Sequence, residues 1–81
     1  MDIDGKMNAL FRKVCEIAEG EEIRDEWEPG QKAGWDSLAN LTLIERLEYE
    51  FHVTLEFDEL LSLSNWGELK KLVAGKIGGM L

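Results

Sequence analysis

Basic residues, histidine, cysteine and proline are all scarce in this 81-residue chain, and each scarcity removes a class of function. Nine Lys and Arg stand against 17 Asp and Glu, a net charge of -8. A nucleic-acid backbone is repelled by such a surface, so no nucleic-acid partner is expected. The single cysteine, Cys15, has no partner for an internal disulfide. It falls in a helical pattern with Phe11 and Ala18 and reads as a partly buried thiol without a redox role. One histidine, His52, and no Cys/His cluster leave nothing to hold zinc, and the acids do not follow EF-hand spacing, so no metal site is expected. A long apolar run is missing too, which excludes a membrane span. The acidic Met1-Asp2-Ile3-Asp4-Gly5 is unlike a secretory signal, which makes the cytoplasm the expected address. No internal repeat appears, and the length is that of one small domain, 1–81, with a single core and little stability to spare. Hydrophobic residues at 44% and charged residues at 32% suit a folded chain rather than a disordered one.

Within that frame the apolar pattern is helical. Met7, Leu10, Phe11, Val14, Ile17 and Ala18 recur at three- and four-residue steps, predicting a first helix from about Asp4 to Glu19 that Gly20 stops. From Glu21 to Gly34 the period is lost and Pro29-Gly30 intervenes, so this segment is a long connection, pinned by Ile23, Trp27 and Trp35. Asp36 is a natural N-cap for a second helix running from Ser37 to about Glu50, with Leu38, Leu41, Ile44, Leu47 and Phe51 at helical spacing. Phe51, Val53, Leu55 and Phe57 then alternate with polar residues, which by period alone is a strand. A lone strand has nothing to pair with, so we expect an extended connection and a short third helix near Asp58 to Leu61. Asn65 caps a last helix with apolar positions Trp66, Leu69, Leu72, Val73 and Ile77, fraying near Gly75 and Gly78-Gly79. The expected fold is all-α, a small four-helix bundle of three longer helices and a short third, with a long loop between the first two.

Catalytic material is poor. A Ser-His-Asp arrangement must use His52, yet Ser37 begins the helix that His52 follows, and 1.5 Å of rise per residue separates them by roughly 20 Å. What stands out instead is a hydroxyl at a helix start with an acid beside it. Ser37 read plainly helps capping; read functionally it holds a phosphate-linked group, which the free N-H groups and dipole of the helix start favour. The charge around it is lopsided. Between Asp36 and Leu60 lie seven acids, Asp36, Glu45, Glu48, Glu50, Glu56, Asp58 and Glu59, against Arg46 alone, whereas 61–81 hold Glu68 and three lysines. Such an acidic run is either a solvated face or a docking surface for basic enzymes.

The stretch Asp36-Ser37-Leu38-Ala39-Asn40-Leu41-Thr42-Leu43-Ile44-Glu45-Arg46-Leu47-Glu48-Tyr49-Glu50-Phe51 resembles the Asp-Ser-Leu segment of acyl carrier proteins. The resemblance runs without a gap from Trp35 through Gly67, including Asp58-Glu59 and Asn65-Trp66-Gly67. It implies that a phosphopantetheinyl transferase moves the phosphopantetheine arm of coenzyme A onto Ser37, and that acyl intermediates ride on the arm as thioesters. It further implies that Asp36 supports the attachment turn and the transferase's metal. Leu38 and Leu41 with Glu45, Glu48 and Glu50 are then the docking positions for acyl-loading and acyl-processing enzymes of a fatty-acid, polyketide or related pathway. The protein itself is a substrate, not an enzyme, and is expected to be a monomer. Ala39, Asn40 and Thr42 replace acids common in such carriers, and Arg46 interrupts the acidic face. Leu60 and Trp66 are bulkier than usual and fill space a long acyl chain occupies, pointing to a specialised free-standing carrier of short or polar cargo. The competing readings are a peptidyl or aminoacyl carrier and an unmodified acidic adaptor.

Overall fold

The computed structural model describes residues 2–79, and within them the chain is all-helical, with no strand. Four helices follow in order: α1 (Ile3–Val14), α2 (Ser37–Phe51), α3 (Phe57–Leu61) and α4 (Trp66–Gly79). Each start has a polar cap. Asp2 Oδ1 accepts from Gly5 N-H at 2.9 Å and Asp36 Oδ1 from Ala39 N-H at 2.8 Å, each taking an N-H that an intrahelical carbonyl cannot reach. At α3 the Glu56 N-H donates to Glu59 Oε1 (2.9 Å), and at α4 the Glu68 N-H donates to Asn65 Oδ1 (2.9 Å), as the sequence predicts for Asn65.

The first helix is shorter than its pattern suggests, and Gly20 does not stop it. It closes at Val14, with Glu16 left-handed at φ 54° and the Ile17 N-H donating back to the Arg12 carbonyl at 2.9 Å. α2 ends the same way: His52 is left-handed at φ 54° and the Val53 N-H reaches the Glu48 carbonyl at 3.3 Å. In both, the 6→1 bond satisfies an orphan carbonyl and turns a hydrophobic residue, Ile17 or Val53, back into the core. The alternation after α2 is therefore an extended segment without a ladder: Val53 and Leu55 are buried, and the Leu55 N-H donates to Glu48 Oε2 at 2.8 Å. The final helix continues through Gly75 to Gly79.

One apolar core joins the helices to the long loop. At its centre Phe11 stacks on Trp66 (centroids 4.1 Å apart) and meets Trp35 and Trp27 edge-on at 4.6 and 6.2 Å, the geometries aromatic quadrupoles favour. Trp35 and Trp66 are buried, and each indole N-H finds an acceptor at 3.0 Å, Asn40 Oδ1 and Asn8 Oδ1 respectively. Trp27 is half-buried against the same cluster. The loop is also stitched to α4 by backbone: the Trp66 N-H donates to the Trp27 carbonyl and the Gly67 N-H to the Asp25 carbonyl, both at 2.9 Å. Asp25 in turn pairs with Lys70 at 2.9 Å. Far from the loop, Lys76 pairs with Glu59 at 2.8 Å and ties α3 to α4. That ammonium first, and the Glu56 N-H second, hold the Glu59 carboxyl below its ordinary range.

Candidate functional site

The site is a turn wedged against the end of α1. Gly34 adopts φ +88°, and a Cβ there would collide with the Cys15 carbonyl, so only glycine allows the loop to cross α1 this closely. The next residue, Trp35, drives its indole into the core and bonds Asn40, one turn inside α2. Between these anchors the Asp36 carboxylate caps α2. Ser37 is thereby fixed in backbone yet exposed in side chain, and among the described residues no hydrogen bond ties down its hydroxyl.

Asp36 takes the N-H of Ala39, the third helical residue. The N-H groups of Ser37 and Leu38 lie outside the intrahelical ladder, at the positive end of a 15-residue helix. A phosphate esterified to Ser37 Oγ fits this environment, because those donors and the dipole both favour an anion. The nearby Cys15 thiol does not compete as an attachment point. It is 2% exposed, more deeply buried than its pattern suggests. Burial first, and Asp36 second, push its pKa up to about 11, which leaves it a protonated thiol at neutral pH.

The predicted docking residues divide. Leu38 and Leu41 are 72% and 63% exposed, a costly placement for leucine in a folded chain and the kind that marks a contact surface. Glu45 is exposed on the same side of α2. Glu48 is half-buried and commits one carboxylate oxygen to the Leu55 N-H. Glu50 is exposed, but at about 100° per residue it projects roughly 140° around the helix from Glu45. Sequence reasoning missed three further exposed apolar side chains, Tyr49 on α2 and Phe57 and Leu61 on α3. Tyr49 follows Glu45 by four residues, and that spacing is the signal that finds it.

Beside Ser37 a shallow groove of about 350 Å³ is lined by Pro29, Gly30, Asn40 and Leu41. Pro29 and Asn40 also line a smaller inner cavity of about 50 Å³, walled by Trp35, Ile44, Leu60 and Leu69. The serine groove and the inner cavity thus share a wall. Leu60 lines the cavity, and Trp66 is fully buried in the core.

His52, at the far end of α2, is exposed and remote from Ser37, so no triad forms. Among the described residues no group of His, Cys, Asp or Glu is arranged to hold a metal ion, and no helix is long and apolar enough to cross a membrane. No protein-family model, curated protein or solved structure matches this chain.

Proposed function

We propose that this chain is an acyl carrier protein, a four-helix bundle whose Ser37 receives phosphopantetheine from coenzyme A. The observation that carries the reading is the exposed, unbonded serine on a rigidly anchored turn at the start of α2, with two exposed leucines beside it. When attached, the arm supplies a thiol that holds an acyl group as a thioester. The chain's own residues fix Ser37 by way of Gly34, Trp35 and Asp36, and offer helix-start N-H groups to the phosphate. Leu38, Leu41 and Glu45 form the docking core for the transferase and for acyl-loading and acyl-processing enzymes bearing basic patches, with Glu48 and Glu50 at its margins. The protein is a substrate of these enzymes rather than a catalyst, and acts in the cytoplasm as a monomer.

The inner cavity suggests the cargo. At about 50 Å³ it is far smaller than the roughly 300–1,000 Å³ of usual ligand pockets. That favours a short or polar acyl group over a long chain. A long-chain thioester on this protein should hydrolyse faster than on a housekeeping fatty-acid carrier, and equal protection would contradict the assignment.

Fluorescent coenzyme A, magnesium and a broad-specificity phosphopantetheinyl transferase test the reading. The wild type should become labelled and Ser37→Ala should not, while the two melt alike, because an exposed first-turn serine contributes little to packing. A folded wild type that stays unlabelled favours an unmodified acidic adaptor. Loading of the modified protein by an adenylating enzyme specific for amino acids favours an aminoacyl carrier.

A further inference from the structure

On the flank of α2 that faces α1 lies a groove whose chemistry is opposite to that of the chain as a whole. Leu10 and Val14 of α1 and Leu38 and Ala39 of α2 form its apolar walls, and Lys13 and Arg46 stand among them. Its volume is about 420 Å³ and it is open to solvent. Asp36 and Leu38, the neighbours of Ser37 on either side, both line it, so anything seated there sits beside the serine.

Both cations are exposed, in a chain where 17 acids outnumber nine bases. Lys32, Lys70 and Lys76 each hold a carboxylate, at 2.6, 2.9 and 2.8 Å. Among the described residues neither Lys13 nor Arg46 has one. Thr42, also in the groove, turns its hydroxyl back to the Leu38 carbonyl at 3.2 Å and supplies no charge. Arg46 lies about 100° around α2 from Glu45 and about 160° from Glu48, while Glu50, one turn beyond Arg46, shares its flank outside the groove lining. The lining itself carries two cations, Lys13 and Arg46, against the one carboxylate of Asp36, which caps α2, with Leu38 on the ridge towards Glu45.

We propose that the Lys13–Arg46 groove docks an amphipathic helix of a partner enzyme, one whose apolar stripe is flanked by carboxylates. The partner surface is then two-signed, with carboxylates towards Lys13 and Arg46 and cations towards Glu45. This deepens the carrier reading and rests on it for one point, that the partner is an enzyme acting on Ser37. A groove between two helices accepts the apolar ridge of a third, and the paired charges select the partner and its orientation more than they add affinity. An enzyme built only for an all-acidic carrier meets repulsion at Arg46, which makes the groove a specificity filter.

Two synthetic helical peptides with the same leucine stripe, one flanked by glutamates and one by lysines, are titrated into the isotope-labelled protein and followed by amide NMR. The glutamate peptide should shift Leu10, Val14, Ala39 and Arg46, and bind more weakly as salt rises. The double variant Lys13→Glu/Arg46→Glu, at two exposed positions and checked for an unchanged melt, should lose about tenfold in affinity for it. The idea is overturned if the glutamate peptide leaves the groove amides unmoved, if it binds the double variant equally, or if the lysine peptide fills the groove as tightly. Octanoate shifting those amides where neither peptide does would make this a small-molecule site and overturn it as well. Ser37 stays unmodified throughout, so docking with no arm attachment retains the groove and sinks the carrier, and attachment with no docking does the reverse.

Discussion

Replacing Gly34 by alanine should damage the serine turn far more than replacing Gly30, although both glycines sit at nearly the same φ, +88° and +85°. An L-residue at positive φ costs about 1–2 kcal/mol, offset by roughly 0.4–1 kcal/mol because alanine narrows the unfolded ensemble. At Gly30 nothing lies within 4 Å of the new methyl group, so the net loss should be at most about 1.6 kcal/mol. At Gly34 the methyl meets the Cys15 carbonyl, which is backbone and cannot rotate away. Forcing it aside adds about 1–3 kcal/mol, the usual range for overpacking. Urea unfolding followed by circular dichroism measures the difference, with equal m-values confirming that only stability has changed. At about 4–8 °C per kcal/mol for a domain of this size, Gly34→Ala should melt well below Gly30→Ala. It should also accept the arm more slowly, because the displaced loop carries Asp36 and Ser37 with it. Equal stability of the two variants would refute the claim that contact with α1 fixes this turn.

Other outcomes follow from the same contacts. Asp36→Ala should cost about 1 kcal/mol through the lost cap, and Asp36→Asn should restore most of that stability without restoring transferase activity; full activity in Asp36→Asn would remove the charge from the mechanism. Trp66→Ala should cost about 3–5 kcal/mol, enough to unfold a domain this small, while Trp66→Phe should retain the fold at the expense of the Asn8 hydrogen bond, both read from thermal melts. Cys15 gives a pH signature. Its thiol is raised in the fold to about 11 from 9.0, so between those values the unfolded chain releases a proton that the native chain keeps. Stability should therefore fall as pH rises through that window, by about 3 kcal/mol in all. Cys15→Ala should lack this component, and an identical pH slope in the variant would rule the thiol out as its source.

Much of this architecture was legible because capping and turn chemistry are local. Asp36, Asn65 and the Pro29-Gly30 break are positioned by their immediate neighbours, and the helix starts at Ser37 and Trp66 follow from them. The end of α1 was not legible in this way. Glutamate is a poor left-handed residue, yet Glu16 adopts that conformation because Ile17 gains burial and Arg12 reaches the Ala18 and Glu21 carbonyls. These are tertiary rewards that no helical period records. The stripe of α2 divides for a geometric reason. Each three-residue step falls about 60° short of a full turn, so Leu38, Leu41, Ile44 and Leu47 spiral from the solvent face to the core face. Ile44 and Leu47 are buried with Leu43, while Leu38 and Leu41 are left exposed. The apolar part of the candidate docking surface, Leu38 and Leu41, was thus legible from the resemblance but not from the helical period. The groove cations Lys13 and Arg46 lie 33 positions apart and meet only once α1 packs on α2.

Peptide mass spectrometry of the protein after reaction with coenzyme A and a phosphopantetheinyl transferase tests the central claim most directly. The chain has three serines, Ser37, Ser62 and Ser64, so a site-resolved spectrum distinguishes a specific attachment turn from an accessible hydroxyl. The account predicts one phosphopantetheinyl group, on Ser37 alone, and none in Ser37→Ala. A group on Ser62 or Ser64, or a folded protein left unmodified by an active transferase, would contradict it.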